Sequence, residues 1–332
     1  MLNKSDILFI GRADTSRCPL FLRFSNQFFT ERDKAAAAFV VIVKASEKKI
    51  INGLGTIMIL RYFNHTYFLT LFVCAGLIAA LYFSLRKRSL FTKRIAVFAL
   101  LQFNLVQHFF KCLIWPHLWG TGIGLINTAY NVCAFLIIIS PFVFLGKNEL
   151  LKQFVAYVGT IGASLAIIVP SWFIGSTIFT WEYLRSWTCH TVLIATSLLP
   201  ALWGMVKFNY RDGWKFGLIF LMMLMLILSN NVVFMLAFDA ATPETLYAAL
   251  LAHNPLWMMA PSDGFESLGK VLAVFSPKMF LQTKTHPYIP ILWYAFPMYI
   301  LITLIAYLLG GLLDRKKLKG DFLALKSKLK KR

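Results

Sequence analysis

Residues 216–238 read FGLIFLMMLMLILSNNVVFMLAF, twenty-three consecutive positions without a charged side chain. A bilayer's hydrocarbon core is crossed by about 20 apolar residues of helix, so this stretch predicts a transmembrane helix. Blocks of the same kind recur at 66–85, 95–115, 123–145, 154–170, 186–206 and 291–313. Together they predict an all-α, polytopic transmembrane helical bundle of about seven spans. The composition agrees, since 58% of the 332 residues are hydrophobic and only 14% are charged, which is outside the usual shares of a soluble domain.

The formal charge of +20 raises the question of nucleic acid. The basic residues fall between the apolar blocks and in a C-terminal tail, not along one stripe of a polar domain, so no nucleic-acid partner is expected. They alternate instead. Loops on one side (86–94, 147–152, 207–215) and the tail 315–332 hold nineteen Lys and Arg, and loops on the other side (116–122, 171–182, 239–290) hold three. By the positive-inside rule the chain is a multi-pass protein of the cell membrane with a cytoplasmic C-terminus. The tail LKGDFLALKSKLKKR reads as a basic amphipathic segment lying on anionic lipid.

Residues 1–61 carry ten Lys and Arg and would have to lie on the sparsely charged side. They contain no span, and the apolar run 39–43 beside Lys44, Lys48 and Lys49 lacks the layout of a signal peptide. The expected division is therefore a disordered or wrongly extended arm at 1–57, a membrane-embedded domain at 58–314 and a cytoplasmic tail at 315–332. Two connecting segments stand out. SWFIGSTIFT at 171–180 is apolar but too short to cross, which predicts a re-entrant or interfacial loop. The loop 239–290 is turn-rich around NPLWMMAPSDG, and its apolar stretches 246–251 and 256–259 suit a lid on the bilayer face.

Cys18, Cys74, Cys112, Cys133 and Cys189 are scattered without CxxC spacing, so neither a disulfide framework nor a zinc site is indicated. No metal or cofactor is expected. Polar side chains inside spans are costly and by default face the bundle interior. The second span carries Gln107, His108 and Lys111; the third carries Asn127, Tyr130, Asn131 and Cys133; the fifth carries Arg185, Cys189 and His190; the sixth carries Asn230 and Asn231. Each has a structural reading as well. His108 and Lys111 suit snorkelling to headgroups, the asparagines suit interhelical bonds worth under about 1 kcal/mol each, and Cys133 suits a small packing group.

A thiol on the third span and an imidazole on the outer half of the fifth suggest more in combination. Imidazole can take the thiol proton, and the thiolate can then attack an acyl ester. At membrane depth that ester belongs to a phospholipid.

The segments YNVCAFLIIISPFVFLGKNELLKQFVAYVGTIGASLAIIVPSW (130–172), YLRSWTCHTVLIATSLLP (183–200) and NPLWMMAPS (254–262) carry a resemblance. From about residue 103 to 313 the chain resembles the YwaF and Transmembrane Protein 164 family of integral membrane proteins. The resemblance implies acyl transfer between phospholipids, with Cys133 and His190, fifty-seven positions apart, on the two reactive positions. The chain departs from the family where bacterial members have Pro-Leu-His-Leu before the Cys: here stand Thr128, Ala129, Tyr130, Asn131 and Val132.

Two functions follow as expectations. One is a lipid acyltransferase or hydrolase with Cys133 as nucleophile, His190 as general base and acid, and Asn127, Asn131, His108, Asn230 and Asn231 contacting substrate. The other is a binding or transport protein in which the same polar groups line a pathway without catalysis. At 1.5 Å per residue, Cys133 and His190 come level only if the fifth helix begins near Trp181. Cys189, one position away, is expected to face elsewhere.

Overall fold

Asparagine and threonine caps set where several of the helices begin. In the computed structural model, which describes residues 58–114, 125–237, 242–253, 266–281, 288–289 and 291–329, the side chains of Asn64, Asn131, Asn148 and Thr180 each accept from a main-chain N–H of the first turn that follows, as N-caps do. The helices are α1 (His65–Leu85), α2 (Leu90–Ile114), α3 (Val132–Leu145), α4 (Glu149–Ile168), α5 (Trp181–Leu202), α6 (Gly213–Ala237), α7 (Pro243–His253), α8 (Glu266–Val274), α9 (Lys278–Leu281), α10 (Leu292–Leu313) and α11 (Arg315–Leu329). All lie within one compact unit, Met58–Arg332. The expectations for residues 1–57 and 256–259 lie outside the described residues.

Among the described residues, five segments are long and apolar enough to cross a membrane: His65–Leu85, Leu125–Leu145, Glu149–Ile168, Tyr210–Ala237 and Leu292–Leu312. Helices α2 and α5, of 25 and 22 residues, also have the length to cross at about 1.5 Å per residue, and they carry more polar side chains. The surface confirms which solvent the bundle meets. Phe72 (74% exposed), Phe142 (70%) and Leu308 (68%) face outward, while Asn104, His108, Lys111, Asn127, Gln153 and Asn231 are buried. A soluble surface does not carry so broad an apolar belt; a lipid-facing one does. The chain is a membrane protein of helical-bundle class.

Helix α5 is the hub and packs against α1, α2, α3 and α4, while α3 bridges to α6 and α6 pairs with α10. Small residues permit the close approaches, since lipid offers no hydrophobic incentive for helices to associate. A Cβ on Gly159 of α4 would lie 2.2 Å from the Ser197 hydroxyl of α5. Gly213 and Gly217 form a GxxxG face on α6 against Tyr299, Thr303 and Tyr307, which recur every fourth residue on α10; a Cβ on Gly217 would lie 2.5 Å from both Tyr299 and Thr303.

The two ends of the bundle differ. At the basic end, Lys93 lies over the Trp203 ring, and the tail docks on the turn before α6. There Arg211 forms an ion pair with Asp321 at 2.5 Å, Tyr210 also donates to Asp321, and Lys317 donates to Asn209 at 2.8 Å. The tail is thus helical, and part of its polar face meets protein.

At the far end, the loop 171–180 stays short of a crossing. It makes a 3-10 turn at Ser171–Phe173 and then pairs antiparallel with residues 58–60. Gly175 donates to the Leu60 carbonyl at 2.8 Å, Leu60 to Ser176 at 2.9 Å and Ile178 to Met58 at 3.2 Å. That pairing supplies the partners non-helical backbone needs at this depth.

One helix starts later than expected. The third span is helical only from Val132; residues 125–131 form a 3-10 turn at Leu125–Asn127 followed by bends, with Asn131 extended. Asn131 caps α3 by accepting from Ala134 at 2.8 Å, which fixes where the helix begins.

Candidate functional site

Broken backbone inside a span leaves carbonyls that neither water nor the helix itself satisfies. Residues 125–131 meet this need with side chains of the neighbouring helices. From α2, Lys111 donates to the Ile126 carbonyl and His108 donates Nε2–H to the Thr128 carbonyl at 3.1 Å. From α6, Asn231 donates to the Tyr130 carbonyl at 3.1 Å and Asn230 to the Thr128 hydroxyl at 2.8 Å. In return Asn127 donates to the carbonyl of Phe109 on α2 at 2.8 Å. The Lys111 ammonium also sits 5.4 Å from the Tyr130 ring centroid. Helix α7 packs over this end, where Leu250 joins Leu125, Phe234 and Met235, with Tyr130 beside them.

The five residues expected to contact substrate are therefore brought together at one end of the bundle, and each has a structural task there. His108, Asn127, Asn230 and Asn231 commit donors to the chain, and Asn131 is a helix cap. Sequence reading placed these side chains inside the bundle; it could not show that their partner was a break in the third span.

Cys133 and His190 are not joined. The fifth helix does begin at Trp181, as levelling the pair required, but successive residues of a helix point about 100° apart, and the two sides of α5 have different neighbours. His190 donates Nδ1–H to the Ser186 carbonyl at 2.7 Å. It lines a cavity of about 20 Å³ with Ala166, Ile167, Pro170, Phe173, Tyr183 and Trp187. That volume holds about one water and no acyl ester. No hydrogen bond links the imidazole to Cys133.

Cys189 meets α2. Its thiol donates to Gln107 of α2 at 3.4 Å, while its carbonyl accepts from Asn104 at 3.1 Å. Cys189 and His190 thus meet different neighbours, α2 for the thiol and its own helix for the imidazole. Cys133 is half-buried, and Cys74, Cys133 and Cys189 are all free thiols. Among the described residues no three of His, Cys, Asp and Glu converge as metal ligands.

The larger cavity lies at the opposite, basic end. It has a volume of about 570 Å³ between the start of α2, the end of α3, the start of α4 and the end of α5. Arg94, Lys147 and Lys152 stand at its mouth, with Phe98, Leu101, Val155 and Ala156 among its walls. Its rim includes Ile95 and Leu145, both more than half exposed in the outer apolar belt. None of these residues was a candidate by sequence, because the basic loops carried a signal for orientation and their convergence on one cleft depends on how four helices pack.

No family model, curated protein or solved structure matches the chain.

Proposed function

We propose that this chain is an integral membrane protein that binds a membrane lipid within its helical bundle, without catalysis. One observation carries the reading: a cleft of about 570 Å³ with apolar walls, basic side chains at its mouth and a rim continuous with the lipid-facing belt. Its volume falls within the range of about 300–1,000 Å³ of ligand sites. Acyl transfer, as the family resemblance suggests, needs an imidazole that reaches the Cys133 thiol, and no hydrogen bond joins His190 to that thiol.

The test is lipid retained by the protein purified in mild detergent, measured by native mass spectrometry. About one lipid per chain is expected. Filling the cleft with Ala156→Trp should expel it, and Met205→Trp, at a loop position on the same lining, repeats the test where a buried tryptophan impairs folding. Equal lipid in the wild type and a folded filled variant overturns the reading.

A further inference from the structure

We infer that this cleft selects a single-chain amphiphile with an anionic head, taking the chain between α2, α3, α4 and α5 and holding the acid group at Arg94 and Lys147. The inference rests on the lipid-binding reading and adds the chemical class of the ligand.

Charge argues for the head. Of the four charged residues lining the cleft, three are basic, and the acid, Glu149, is already engaged. It accepts from Lys152 at 3.0 Å and from the main-chain N–H of Lys207 at 3.4 Å. Arg94 and Lys147 form no ion pair with any described residue. The mouth therefore holds an excess of positive charge that an anion neutralises. Because Arg94 and Lys147 are exposed, the head stays at the interface while the tail enters.

The walls argue for the tail. Two of the hydroxyls deep in the lining are turned to their own helices, Ser140 to the Leu136 carbonyl at 2.5 Å and Thr196 to Val192 at 2.9 Å. A third, Ser197, is pressed against Gly159 and its hydroxyl has no hydrogen-bond partner. The walls thus offer a soluble organic anion one uncommitted hydroxyl in a mostly apolar lining.

Volume favours one chain over two. About 570 Å³ lies within the range of about 300–1,000 Å³ of sites that hold one small ligand. That suits one long acyl chain with its acid group better than the two chains of a diacyl lipid.

Binding of radiolabelled oleate to the full chain in non-ionic detergent tests this, with oleyl alcohol as the uncharged equivalent of the same chain. Oleate should saturate at one site, and the alcohol should bind about tenfold more weakly, the factor two exposed ion pairs supply. Arg94→Ala with Lys147→Ala should remove that advantage. Lys87→Ala with Arg88→Ala, in the same loop but off the cleft, should leave it intact. Equal binding of oleate and the alcohol, or an unchanged double variant, overturns the anionic selection while lipid binding stands. Displacement of oleate by diacyl phosphatidylglycerol at lower concentration than by unlabelled oleate overturns the single-chain assignment. Displacement by inorganic phosphate alone identifies a soluble-anion site, and absence of any binding overturns this inference and the lipid-binding reading together.

Discussion

Asn231 of α6 donates its side-chain amide to the main-chain carbonyl of Tyr130 at 3.1 Å, joining two helices through a point where one of them is not helical. Together with Lys111, His108 and Asn230 it keeps residues 125–131 at membrane depth with their polar atoms engaged. The buried polar groups of the far end thus form a scaffold around a break. The cleft that suits an amphiphile lies at the other end, where α2, α3, α4 and α5 diverge.

Removing a donor from that scaffold should destabilise the bundle. Asn231→Leu leaves the Tyr130 carbonyl unsatisfied in an apolar setting, which costs about 1–3 kcal/mol. Thermal unfolding in detergent should show a lower midpoint, and lipid retention at the basic end should persist in the folded fraction. An unchanged midpoint would mean that residues 125–131 find another donor.

Much of the bundle was readable because a span announces itself by length and apolarity alone, as 216–238 does. The start of α5 at Trp181 was only half readable, since the apolar block begins at 186 and TWEYLR merely holds no helix breaker that would stop an extension. The break before Val132 was not. A run of Leu, Ile, Asn, Thr, Ala, Tyr and Asn has no proline or glycine, and it departs from helix because Asn131 caps α3 and neighbours from α2 and α6 supply donors. The facing of Cys189 and His190 was equally hidden, because adjacent residues differ only in which neighbour each side of α5 meets.

The GxxxG face of α6 gives a sharp packing test. A side chain at Gly217 meets Tyr299 and Thr303 of α10, whereas one at Gly76 of α1 meets nothing within 4 Å. Gly217→Leu should lower stability by about 1–3 kcal/mol through overpacking, and Gly76→Leu should be close to neutral. Equal unfolding midpoints for the two variants would remove α6–α10 apposition as the reason for the glycine.

Docking of the tail on the turn before α6 should be insensitive to pH across the neutral range. The hydrogen bond and ion pair with Arg211, and next the Tyr210 hydroxyl, hold the Asp321 carboxyl below its ordinary value. A depressed folded-state value means the stabilisation is complete above the unfolded carboxylate value of about 3.9. It is lost as pH falls through the lower folded value. Both partners face solvent, so salt should weaken the contact. A spin label at Lys319 should become more mobile in Asp321→Asn, in high salt and in strong acid, and stay unchanged from pH 6 to 8. Loosening within that window would assign the contact to a different group.

The basic end is proposed to be cytoplasmic on the nineteen-to-three distribution of Lys and Arg. A reporter fused after Arg332 should read as cytoplasmic and one inserted at 263–264 as external. Reporters on the same side would reverse the orientation or change the number of crossings.

The thiols give the sharpest discrimination between binding and catalysis. Cys133 is half-buried near the start of α3, and His190 is bonded to its own helix beside a cavity the size of one water. If the chain binds lipid without turning it over, Cys133→Ala, Cys189→Ala and His190→Ala should each retain the wild-type amount of lipid. Incubation with phospholipid carrying a labelled acyl chain should leave no label on the protein. A hydroxylamine-sensitive label that disappears in both Cys133→Ala and His190→Ala would show acyl transfer through a thioester, since only a nucleophile and its base are both needed for that bond to form. It would also require α5 to turn His190 toward α3 during the reaction. A label lost in Cys133→Ala and Cys189→Ala but kept in His190→Ala would instead assign the chemistry to the two thiols.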